Sequence, residues 1–199
     1  MAEKKLLIAT HNRTKFLEMK ELLEEIPYTV VSLADVGIDY DVEETGTTFQ
    51  ENAVLKAKIY SRLSGLLTLA DDSGIEVKAL HGEPGVRTKE YAGPDATDEE
   101  KVSFLLKKMA HVPAGQRQAQ DVTYIALAWP SGETWGTLGE CSGSIALEPK
   151  GSPIQGFSFR VLFMPQHSEK TLAELTKLGI STESPRARAA ARIKEFLMS

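Results

Sequence analysis

Short unbroken apolar runs alternate along this chain with apolar residues at helical spacing, a pattern that predicts an α/β protein with a long central mixed sheet flanked by helices. Lys5-Leu6-Leu7-Ile8-Ala9 reads as a strand, and Phe16, Met19, Leu22, Leu23 and Ile26 share one side of the helix that follows. Thr48-Phe49-Gln50-Glu51 is a capping box that opens a second helix running to about Ser64. Residues 66–70 form an apolar strand that ends in Asp71-Asp72-Ser73-Gly74, a composition that reads as a glycine turn. Thr97-Asp98-Glu99-Glu100 opens a third helix with Val102, Leu105, Leu106 and Met109 on its apolar side, and Pro113-Ala114-Gly115 breaks it. Val122–Trp129, Thr134–Leu138 and Ser142–Leu147 read as successive strands, with Pro130-Ser131-Gly132 as the first turn between them. A further capping box stands at Thr171-Leu172-Ala173-Glu174, and Pro185 starts a last helix to about Leu197.

No linker or repeat interrupts this order, so residues 1–199 are expected to form one domain, and 42% apolar content is ample for its core. The net charge of −5 argues against a general nucleic-acid surface and makes free nucleotides the better ligand class. Nothing resembles a signal peptide or a membrane-spanning run, which makes the cytoplasm the expected location. The single cysteine, Cys141, excludes an internal disulfide framework and suits packing better than nucleophilic work. Trp129 and Trp135 flank the Pro-Ser-Gly turn and suit a core or a subunit contact better than a base-stacking platform.

Three polar clusters stand out from the apolar pattern. Two adjacent carboxylates at the end of an apolar strand make a poor core and a good metal corner, since the rim of an α/β sheet is where ligands sit. A second acidic corner, Glu43-Glu44-Thr45-Gly46, precedes the helix on which Asn52 and Lys56 share one face. Lys56 beside Glu44 and Asp72 suggests a phosphate held next to a hard cation, and magnesium suits because it needs only one or two protein carboxylates plus phosphate oxygens. The third cluster, Thr10-His11-Asn12-Arg13-Thr14-Lys15, forms the polar turn between first strand and first helix, a phosphate-binding arrangement. It lacks the glycines of a Walker loop, and Thr10, Asn12 and Lys15 are its best polyphosphate donors. The four histidines are not paired at metal-ligand spacing, so zinc is not expected. Asp71 is open to two readings, a second metal ligand or a turn acceptor.

The segments ATHNRTKFLE, EETGTTFQENAVLKAK, ADDSGIEVKALHGEPGV and YAGPDATDEE, in this order and spacing, resemble the Ham1 family of inosine/xanthosine triphosphate pyrophosphatases. The resemblance implies two lobes with an active-site cleft, a homodimer, and magnesium-dependent hydrolysis of a purine nucleoside triphosphate to monophosphate and pyrophosphate, a nucleotide-pool sanitising reaction. It further implies phosphate contacts from Thr10, Asn12 and Lys15, metal ligation by Glu44 and Asp72, and Asp72 as general base. Ser73 becomes a substrate contact and Lys56 a catalytic cation.

Toward the C-terminus the resemblance thins. The family's Gly-Phe-Gly-Tyr-Asp-Pro base segment stands here as Gly156-Phe157-Ser158-Phe159-Arg160-Val161, which implies base contacts from residues 157–160 with an acid replaced by Arg160. Its lysine and Ser-His-Arg become Ile180 and Ser184-Pro185-Arg186, so Arg186 aligns with a base-contacting position. The substitutions fall where a base would be read, which predicts altered base selectivity. The alternative is a divergent member of the family that binds nucleotides without turnover or has lost activity.

Overall fold

The computed structural model describes residues 4–180 and 184–199. Its elements are β1 (Lys5–Ile8), α1 (Arg13–Leu22), β2 (Thr29–Ser32), α2 (Phe49–Ser64), β3 (Leu67–Val77), α3 (Asp98–Lys108), β4 (Gln118–Ala128), β5 (Thr134–Ile145), β6 (Phe163–Pro165), α4 (Leu172–Lys177) and α5 (Pro185–Met198). One six-stranded sheet has the order β2-β1-β3-β4-β5-β6. β1 pairs in parallel with both β2 and β3, and β5 pairs antiparallel with β6, so the sheet is mixed as the pattern predicts. Among the described residues no helix is long and apolar enough to cross a membrane.

The helix starts follow the capping chemistry. Thr97 and Thr171 each close a complete capping box. Thr48 accepts from the Glu51 amide, but the Glu51 carboxylate reaches one residue further back, to the amide and hydroxyl of Thr47 at 2.7 and 2.8 Å. The first helix stops at Leu22, so Ile26 packs from beyond its end instead of from its side.

The strands depart more from expectation. β3 does not turn at Ser73-Gly74; it runs on to Val77, and Asp71 and Asp72 lie in mid-strand. Gly74 has no positive φ and sits in extended backbone, so the turn composition misleads here. The segments expected as two strands, 134–138 and 142–147, merge into the single strand β5, which stops at Ile145 and leaves Ala146 and Leu147 outside it. β2 lies at the sheet edge, with Thr29 exposed and Val30, Val31 and Ser32 partly buried.

The chain divides into two compact units. The first takes the chain up to Asp72, Thr123–Gly139 and Arg186–Ser199. It buries apolar side chains on both faces of its strands, as expected for strands covered by helices on each side. Leu6, Ile8, Leu67 and Leu69 meet Met19 of α1 and Ala189, Ala190 and Ile193 of α5. Leu7, Ala9 and Ala70 meet Ala53, Ala57 and Tyr60 of α2. Trp129 and Trp135 pack beside the first of these clusters, where Trp135 stacks on Phe196 at 4.2 Å.

The second unit, Ser73–Val122 and Glu140–Pro185, has its own core of Ile75, Val102, Leu105, Met109, Phe159, Phe163 and Leu172 among others. Cys141 is buried there with its thiol free of any disulfide. Arg117 is buried too, its guanidinium donating to the carbonyls of Met109, Val112, Ile145 and Ala146, which satisfies the charge without a carboxylate.

Candidate active site

The site lies in the first unit and is set by the period of the strand. Successive side chains of a strand point to opposite faces, and Leu67 and Leu69 face α1 and α5 while Ala70 faces α2. Asp71 therefore falls on the α1/α5 side and Asp72 on the α2 side. The register Leu6↔Leu67 to Ile8↔Leu69 then brings the turn after β1 level with the two aspartates.

On the α2 side, Asp72 is 6% exposed. Its Oδ2 accepts from Asn52 Nδ2 at 3.0 Å, and its Oδ1 lies 3.8 Å from Lys56 Nζ. Lys56 Nζ also donates to Glu44 Oε1 at 2.7 Å. Asn52 in turn accepts the Gly46 amide at 2.7 Å, which ties the acidic corner to the helix. A β-carbon on Gly46 would lie 2.6 Å from Asn52 Oδ1, so the glycine is what lets the corner close. Burial pushes the Asp72 carboxyl up to about 6, with Lys56 and the Asn52 hydrogen bond opposing and Glu44 reinforcing. Burial alone would lower the Lys56 ammonium, but Asp72, Glu44 and Asp71 together raise it above its ordinary value.

On the other side, Asp71 Oδ2 accepts from Arg186 at 2.8 Å and lies 3.5 Å from Lys15 Nζ. Burial alone would raise Asp71, but Lys15, Arg186 and Lys56 hold it well below the ordinary carboxylate range. The second amino group of Arg186 donates to Glu18 Oε2 at 2.9 Å. Lys15 is lowered, mainly by burial, and Lys56 and Asp72 on the opposite face still act on it through space.

The polar turn after β1 is organised by one residue. Asn12 caps α1, its Oδ1 accepting from the amides of Thr14 and Lys15 at 2.9 and 3.1 Å, which leaves its NH2 as the donor end. Thr10 Oγ1 accepts the Asn12 amide at 3.1 Å. Arg13 is exposed at the first position of the helix and Thr14 is half-buried. His11 is turned toward the Tyr40 carbonyl at 3.1 Å and the Tyr60 hydroxyl at 3.3 Å.

The residues aligned with the base segment lie in the second unit and divide in their surroundings. Ser158 donates its hydroxyl to Asp98 Oδ1 at 2.5 Å, and the Gly156 amide donates to the other oxygen at 2.9 Å. Phe159 is buried, with Tyr91 edge-on at 6.3 Å. Phe157 and Arg160 are half-buried, and the guanidinium stacks 3.9 Å above the ring. Ser73, half-buried on β3, follows Asp72 directly.

Sequence reasoning put Asn52 on the Lys56 face without naming its partner. It missed the pairing of Arg186 with Asp71 and Glu18, because these residues stand 115 and 168 positions apart from it.

Among the described residues no group of three or more His, Cys, Asp or Glu is disposed to hold a metal. A magnesium site does not require one, since the ion keeps several waters and takes one or two carboxylates beside phosphate oxygens. Glu44 Oε1 and Asp72 Oδ1 already converge on one cationic position, the Lys56 ammonium, and their hard oxygen chemistry fits such an ion. The described ion pairs here set Glu18, Glu44, Asp71 and Asp72 against Lys15, Lys56 and Arg186, an anionic excess that an added divalent cation would reverse.

A Ham1 family model matches residues 6–196. A dITP/XTP pyrophosphatase of Exiguobacterium sibiricum is 40% identical over 193 residues, 97% of this chain and 96% of that protein. One of Bacillus subtilis is 37% identical over 194 residues, 98% of this chain and 97% of that protein. Among solved structures, a HAM1 protein from Coxiella burnetii superposes with a TM-score of 0.87 at 32% identity, and the Staphylococcus aureus Ham1 protein with 0.85 at 36%. Each covers 98% of both chains. The chain belongs to the Ham1 family.

Proposed function

We propose that this Ham1 protein is a nucleoside triphosphate pyrophosphohydrolase acting on non-canonical purine nucleotides and cutting between the α- and β-phosphates to leave a monophosphate and pyrophosphate. The observation that carries the reading is the convergence of Lys56, Glu44 and Asp72 beside the Asn12-capped turn that bears Lys15. The relatives named as dITP/XTP pyrophosphatases supply the substrate class.

Lys15 and Lys56 bind phosphate oxygens, with Thr10, Asn12 and the first amides of α1 orienting the chain of phosphates. Glu44 and Asp72 would hold magnesium, which would offset phosphate charge and lower the pKa of water at the site. Asp72 takes the proton of the attacking water. In the metal-free protein burial holds its carboxyl at about 6; a bound cation would lower it and would acidify the attacking water as well, which keeps the two matched. Asn52, anchored to the Gly46 amide, fixes the carboxylate in one orientation. Asp71 takes no part as a ligand, because it faces the opposite side of the strand and is spent on Lys15 and Arg186.

Base selection falls to the segment around Phe157 and Arg160, whose stacked cation favours a carbonyl-rich or anionic base. The protein is taken to work on free nucleotides in the cytoplasm, as a homodimer. Pyrophosphate release is to be measured over a panel of purine and pyrimidine triphosphates with magnesium, on parent and Arg160→Asp. Turnover of inosine and xanthosine triphosphates above the common nucleotides is expected, with a changed order in the variant. Absence of turnover on every nucleotide would reject the enzymatic reading, and an unchanged order would remove residue 160 from base selection.

A further inference from the structure

Arg186 spends its two amino groups on two different carboxylates, Glu18 Oε2 at 2.9 Å and Asp71 Oδ2 at 2.8 Å, and Asp71 Oδ2 in turn lies 3.5 Å from Lys15 Nζ. The Arg186 side chain is 3% exposed and that of Asp71 5%, while Glu18 and Lys15 rise to 17% and 20%. Charges therefore alternate along a line that begins on α1 at Glu18, passes through α5 and β3, and returns to α1 at Lys15. Glu18 and Lys15 are three residues apart, so they sit on neighbouring positions of one helix face. A buried chain of this kind has few alternative arrangements, since breaking any link weakens the compensation of a desolvated charge.

We propose that Glu18, Arg186 and Asp71 are positioning residues for phosphate binding, acting through Lys15: the last helix of the chain serves to hold the Lys15 ammonium where a polyphosphate meets it. This departs from the base-contacting role that alignment implies for Arg186. It rests on the reading of the β1–α1 turn as a phosphate site. The fork is essential to the role. A guanidinium can bridge two carboxylates at once through separate amino groups, whereas a lysine ammonium is a single point charge.

The substitutions made at the positioning residues preserve charge, so that a loss there is not simply a change in local potential; only Lys15→Met, which removes the phosphate-binding ammonium, does not. Binding of inorganic pyrophosphate with magnesium is measured by calorimetry on the full chain for the parent, Arg186→Lys, Lys15→Met and the double variant. Arg186→Lys is expected to weaken binding by about tenfold in the parent and to have no further effect once Lys15 is Met, the signature of coupled residues. Equal losses in both backgrounds, or no loss in the parent, would overturn the proposal. Should Arg186→Lys fail to fold, Glu18→Asp in the same cycle keeps the charge and withdraws the carboxylate by one methylene. It is expected to weaken binding about threefold in the parent only. Absence of any pyrophosphate binding by the parent would instead reject the underlying phosphate site.

Discussion

Asp71 and Asp72 are adjacent in sequence, both buried, and opposite in state. Asp72 faces α2 and is pushed up to about 6, mainly by burial. Asp71 faces α1 and α5, where Lys15 and Arg186 override burial and hold it far below the ordinary carboxylate value. One residue of strand period separates a raised carboxyl from one held low by two cations. The difference lies in neighbours: Asp72 shares its lysine with Glu44, whereas Asp71 receives a guanidinium at hydrogen-bond distance and an ammonium close by. Two carboxylates in such a corner need not both be ligands.

Exchange of each aspartate for its amide breaks the comparison most directly. Asp72→Asn is expected to lower pyrophosphate release by about a thousandfold or more, as loss of a general base and metal ligand should, with thermal stability unchanged or raised. Asp71→Asn is expected to cost about 3–5 kcal/mol of stability, because Lys15 and Arg186 lose their shared partner. Denaturant titration and initial rates on the two variants check this. Equal effects on both measures would mean that the faces are not distinct.

The pH dependence of stability should separate them next. A carboxyl raised in the folded state contributes stability that is fully present below its ordinary value of 3.8 and is gone once pH passes about 6. Asp72 therefore makes the metal-free protein less stable as pH climbs through that window, and Asp72→Asn should flatten it. Asp71 has the reverse sign. Its contribution is present above 3.8 and is lost only as pH falls through its lower folded value. Unfolding midpoints across pH 3.8 to 6 that are the same in parent and Asp72→Asn would count against the raised carboxyl.

The smallest expected effect is that of magnesium itself. At saturating ion the parent should gain stability by mass action, about 2.7 kcal/mol at a hundredfold excess over the dissociation constant. Asp72→Asn should lose that gain, and any folded Asp71→Asn protein should keep it. Thermal shifts with and without chelator provide the measurement, and a gain that survives in Asp72→Asn would place the ion elsewhere.

The sequence by itself determined the class of the protein and most of its elements. Capping boxes at Thr97 and Thr171 work within one helical turn, so they are legible without tertiary structure. Helical spacing likewise placed Asn52 and Lys56 on one face, and both reach Asp72. Where local composition competed with the strand, the sequence misled: Ser73-Gly74 looks like a turn and lies inside β3. Only the tertiary structure decided which aspartate meets which cation. The strand period states that Asp71 and Asp72 part company, but not which helices cover each face. Arg186 arrives beside Asp71 from 115 residues away, and no local pattern encodes that distance. Charges selected by burial and long-range packing thus turn two identical residues into a structural anion and a candidate base.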